Sequence, residues 1–68
     1  MTIKILELVG ESNSSWEEAV QQAVLDASKT IENIVGVEVL NNTATVNNDG
    51  EITNYRANVN VAFKVDSR

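Results

Sequence analysis

The stretch that most limits what this chain can become is "EITNYRANVNVAFKV", residues 51–65. Its odd positions Tyr55, Ala57, Val59, Val61, Phe63 and Val65 are apolar, while Asn54, Arg56, Asn58, Asn60 and Lys64 at even positions are polar. Side chains alternate between the two faces of a strand, so this pattern predicts a strand with one face on a core and the other against something wet. Before it, residues 35–47 begin valine-rich and turn polar at "NNTAT". Between the two lie Asp49 and Gly50, a pair suited to the central positions of a type I′ turn, which needs φ > 0 at both. An antiparallel hairpin follows.

The apolar face of that hairpin needs a cover, and the chain supplies a helix. Trp16, Ala19, Val20, Ala23, Val24, Ala27 and Ile31 recur at three- and four-residue spacings, which predicts one apolar stripe along four to five turns. The stripe is dominated by alanine, so a sheet can approach closely. Ser14 with Glu17 and Ser15 with Glu18 both fit a capping box; the Ser14 register is preferred, and both glutamates favour the positive end of the helix dipole. Residues 3–9, "IKILELV", read as a first strand closed by Gly10. The order is β-α-β-β, an α+β domain spanning residues 1–68. The helix crosses between the first two strands, which then run parallel, and the third lies between them in a three-stranded antiparallel or mixed sheet. Glu38, Asn54, Arg56 and Asn58 line the face turned away from the helix.

A chain of 68 residues buries only roughly 60% of the surface its unfolded form exposes, so it needs a staple. Without cysteine or histidine it has neither disulfides nor the usual zinc sites, and self-association is the staple that remains. Ten carboxylates against five basic residues give a net charge of −5, which argues against nucleic acid and anionic membrane as partners. No apolar run approaches about 20 residues and no leader pattern is present, so a cytoplasmic location is expected. The acceptor patterns "NSS" at 13–15 and "NNT" at 41–43 then carry no sugar.

Catalysis has little to work with: no histidine, no cysteine, and three lysines without an activating partner, so no enzyme is expected. "NNDGE" reads as a turn because it lacks the spaced acidic ligands of an EF-hand; single carboxylates from several copies could still converge on a cation at a symmetry axis. Trp16 is expected in the core or at a subunit contact. Arg56 either pairs with a carboxylate such as Glu38 across a subunit contact or meets an anionic ligand. Gly36 stands in the middle of "IENIVGVEVL", where glycine costs a strand about 0.5–1 kcal/mol and marks a bulge or a close approach.

Taken in order, "ELVGES", "SWEEAVQQAV", "TIENI", "VEV" and "YRANVNVAF" resemble a dodecin over nearly the whole chain. The resemblance implies a sheet curled round one helix and twelve copies in a hollow cage of cubic symmetry. It also implies a non-enzymatic small-ligand protein: flavin-binding dodecins hold riboflavin or FMN in pairs between subunits, stacked on a tryptophan at the start of the second strand and contacted by a glutamine in the third. Here those positions fall on Gly36 and Arg56, with Val35 and Glu38 beside Gly36. Loss of the ring removes about 150–250 Å² of apolar contact and a stacking gain of about 0.5–1.5 kcal/mol. At roughly 25 cal/mol per Å² that amounts to several kcal/mol, enough to make tight flavin binding unexpected. "SW" at the helix start, a non-aromatic residue at the stacking position and arginine in the third strand are similar to the branch that includes calcium-binding dodecins. Weakly held flavin, calcium and coenzyme A are the ligands the family resemblance implies.

Overall fold

The computed structural model describes residues 1–65. Strand β1 (Thr2–Ser12) leads into helix α1 (Trp16–Ser28), followed by β2 (Ile34–Val46) and β3 (Ile52–Val65). The sheet order is β1-β3-β2, and β3 is antiparallel to both neighbours. The central place belongs to the strand with the strictest alternation, because only it must present a covered face along its whole middle.

The helix is short, 13 residues or about 20 Å, and lies on the odd-numbered face of β3. Ala19, Ala23, Ala57, Val59 and Val61 form the buried cluster, with Leu8, Val20, Val24 and Ile34 packed around it. Val59 and Val61 are its largest wholly buried side chains, each worth about 1.5–3 kcal/mol on burial. The closest approach is at Gly10, where a Cβ would stand 2.0 Å from the Ala19 carbonyl oxygen and 2.9 Å from the Ala23 Cβ. Glycine here is a packing requirement: β1 does not end at residue 9 but runs under the helix to Ser12.

Three further boundaries differ from expectation. The N-cap is Ser15, whose Oγ accepts the Glu18 N–H at 3.0 Å, not Ser14. The reason is Ser12: its buried hydroxyl accepts the N–H groups of Ser14 (2.9 Å) and Ser15 (3.4 Å) and donates to Glu18 Oε1 at 2.9 Å. The helix stops at Ser28, short of Ile31, as the Thr30 and Ile31 N–H groups both donate to the Ala27 carbonyl. Asn33 at φ 64° turns the chain back, a left-handed conformation that asparagine tolerates. Finally, the hairpin turn is not type I′. Gly50 has φ 81° but Asp49 does not have a positive φ; the Gly50 N–H donates to the Asn47 carbonyl at 3.1 Å and the Asn47 N–H to Glu51 O at 2.9 Å. This is the three-residue loop with glycine in the left-handed place. The Asn47 side chain holds it by accepting from the Asp49 and Glu51 N–H groups.

The isolated chain is elongated and exposes somewhat more surface than a compact domain of its size. Its extents are 55 × 19 × 13 Å and its radius of gyration is 14.0 Å, against about 11 Å for a compact domain of this length. Its accessible surface is 4798 Å², whereas a compact monomer of this mass exposes about 4,200 Å². Among the described residues, no helix is long and apolar enough to cross a membrane.

Candidate functional site

The face of the sheet away from α1 is built of cross-strand rows, because residues directly opposite one another share a face. Ile5, Ala62 and Gly36 make one row; Glu7, Asn60 and Glu38 make the next. Further along come Val9, Asn58 and Asn41, then Glu11, Arg56 and Thr43. The face therefore runs from an apolar end at Gly36 to a charged end at Arg56.

At the apolar end, Gly36 and Ala62 leave a notch. No atom lies within 4 Å of the place a Gly36 Cβ would take. Gly36 is not needed for a positive φ, which among glycines only Gly50 shows. Val35 beside it is the extra residue of a bulge between Ile34 and Gly36 and is half exposed. Glu38 accepts from Asn60 Nδ2 at 3.5 Å, a long contact that leaves the carboxylate available.

At the other end Arg56 pairs within its own chain with Glu11, Nε–Oε2 at 3.0 Å, while Glu38 of the same chain belongs to a different row. Sequence reasoning misses Glu11 because antiparallel pairing of β1 with β3 leaves the register open, and it is the register that sets Glu11 opposite Arg56. Gly36 and Arg56 are not brought together in one chain. Their rows are six β3 residues apart, from Ala62 to Arg56, or about 20 Å. A pocket using both draws them from different copies.

Trp16 is not a core residue of the single chain, being 37% exposed. Its ring packs edge-on against Tyr55 with centroids 4.9 Å apart, and its Nε1–H donates to the Thr43 carbonyl at 2.8 Å. Among the described residues, no group of three or more aspartates or glutamates is gathered closely enough to hold a metal ion.

The dodecin family model matches residues 2–66. The chain belongs to the dodecin family. As a dodecin it is 34% identical over 62 residues to the calcium dodecin of Mycobacterium tuberculosis (strain ATCC 25618 / H37Rv), an alignment covering 91% of this chain and 86% of that protein. The crystal structure of that calcium dodecin, a calcium chelating antigen with a novel calcium-binding site, superposes with a TM-score of 0.82 at 30% identity, covering 97% of this chain and 93% of that one. The dodecin from Streptomyces coelicolor gives a TM-score of 0.91 at 25% identity, covering 98% and 94%, and a Thermus thermophilus protein, tt0972, gives 0.91 at 30%, covering 98% and 97%. The β-α-β-β dodecin fold with its single helix is thus shared throughout.

Proposed function

We propose that this dodecin is a non-enzymatic, cytoplasmic small-ligand binding and storage protein that works as a hollow cage of twelve copies. The observation that carries the reading is the surface: an elongated chain whose wholly apolar core is six small or medium residues, with Ile3, Ile5, Val9, Val35, Val37, Val39 and others left 42–57% exposed. Such a chain gains its missing core from copies of itself. The ligand pocket is a shared one, with Val35, Gly36 and Glu38 from one copy and Arg56 from a neighbour, since the two groups are too far apart to meet within a chain. Nothing at Gly36 offers a stacking ring, so riboflavin or FMN is held weakly. Titrating riboflavin while following its fluorescence tests this. Little quenching at micromolar protein is expected, and strong quenching would refute it.

A second reading, a calcium-binding assembly, is favoured by the likeness to a protein named for calcium. With no acidic cluster inside one chain among the described residues, the ion would take single carboxylates from several copies, calcium being satisfied by oxygen ligands alone. After chelator treatment, millimolar Ca²⁺ raises the melting temperature if this reading holds; an unchanged melting curve rejects it.

A further inference from the structure

The helix covers β1 and β3 but stands off from β2. Between α1 and β2 it leaves a groove of about 500 Å³ lined by Val20, Val24, Val37 and Val39, with Glu17 and Gln21 on its rim. The groove lies along the open edge of β2, which pairs only with β3. Near one end of that edge the Trp16 indole donates to the Thr43 carbonyl. Among the described residues no such side chain covers the edge beside Val37 and Val39, and an open strand edge next to an apolar groove is a template for an added strand.

The same chain carries a segment of matching character. The first half of β1 is the other open edge of the sheet, and α1 packs on β1 most closely at Gly10, with Leu8 against the buried cluster. Ile3, Ile5 and Leu6 are left 44%, 57% and 40% exposed, and Lys4 shares the helix-side face with Leu6, opposite Phe63 and Val61. In a chain of net charge −5, Lys4 is one of few cations available to meet a groove rimmed by Glu17.

We infer that residues 2–6 of one copy add to the β2 edge of the next, seating Leu6 in the α1–β2 groove and Lys4 beside Glu17. This rests on the assembly proposed above and names one of its contacts. The added strand runs antiparallel to β2, which sets Lys4 toward the start of α1 and Leu6 toward Val24 and Val37. The contact joins two different surfaces, so it is head-to-tail and propagates until a ring closes.

A chain without cysteine permits a direct test. Within one copy Lys4 and Ser12, next to the helix start, are eight β1 residues apart, about 27 Å, far beyond the roughly 7 Å a disulfide spans. Lys4→Cys with Glu17→Cys is therefore expected to give a ladder of covalent oligomers under mild oxidation, and either single variant none. A wild-type chain that runs as a monomer on a sizing column with light scattering overturns the assembly itself. An assembled double-cysteine variant without the ladder overturns only this contact. If that variant does not assemble, charge reversal decides: Lys4→Glu weakens assembly at least tenfold in concentration, and Lys4→Glu with Glu17→Lys restores it, failure of restoration being a refutation.

Discussion

Gly10→Ala puts the closest packing contact of the fold to the test. The new methyl would stand 2.0 Å from the Ala19 carbonyl oxygen, while ordinary contacts begin at 3.4 Å, so α1 has to lift or slide by more than an ångström. The atom in the way is helix backbone, which cannot swing aside like a side-chain tip. A gap of 0.5–1 Å already forfeits about a quarter to a half of each dispersion contact, and the contacts at stake are those between Ala19, Ala23, Ala57 and the valines beneath. Overpacking of this kind costs about 1–3 kcal/mol. The lower unfolded-state entropy of alanine returns only about 0.4–1 kcal/mol. The whole domain is worth about 3–10 kcal/mol at 0.05–0.15 kcal/mol per residue, so the loss is a large fraction of it. Urea unfolding followed by far-ultraviolet circular dichroism, at one fixed protein concentration because assembly contributes, reads it as a midpoint lowered by about 1 M or more. Gly36→Ala is the internal control: the same chemistry in a strand, with no atom within 4 Å, and a midpoint equal to or above that of the wild type. A Gly10→Ala midpoint at or above the wild-type value would refute the packing account of β1.

Three smaller perturbations follow from named contacts. Ser15→Ala removes the bond to the Glu18 N–H and should cost about 0.5–2 kcal/mol, whereas Ser14→Ala should stay within about 0.5 kcal/mol; urea midpoints of the two variants rank them. Trp16→Phe keeps a ring against Tyr55 but deletes the donor to the Thr43 carbonyl. A loss of about 1 kcal/mol is expected by thermal unfolding, and no loss would mean that the bond is exchanged freely for water. Arg56→Ala breaks an ion pair whose two side chains are 41% and 58% exposed; chain stability should fall by less than about 1 kcal/mol, and by less still in 1 M salt.

The fold was legible where the pattern had a single physical meaning. Strict alternation in β3 fixed its face and, through it, the central position; the alanine stripe announced a helix held close to a sheet. What escaped was settled by partners distant in the chain. Ser14 and Ser15 fit the capping box equally well, and the choice between them is made by the Ser12 hydroxyl, which ties down both preceding N–H groups. Gly10 looked like punctuation because its reason, the Ala19 carbonyl, belongs to another element. Asp-Gly locally suits a two-residue loop, while Asn47 uses its side-chain oxygen to stabilise a three-residue one.

The site was less legible than the fold for a different reason, and Gly36 and Arg56 show it. The family resemblance puts both in a pocket between subunits, and within one chain they lie at opposite ends of the same face, with the rows of Asn60 and Asn58 between them. Residue types reveal which positions carry chemistry, but distance along a strand decides which of them can act together. Here about 20 Å of sheet separates an apolar notch that lacks its own side chain from a guanidinium already matched by Glu11. The notch has carboxylates beside it, Glu7 and Glu38 in the next row, but no cation among the described residues, and the Arg56–Glu11 pair is exposed on both sides. A ligand that needs both must bridge two copies. If the pocket is shared between copies as proposed, ligand affinity falls on dilution as the copies separate, whereas a site contained in one chain would bind equally well at any dilution.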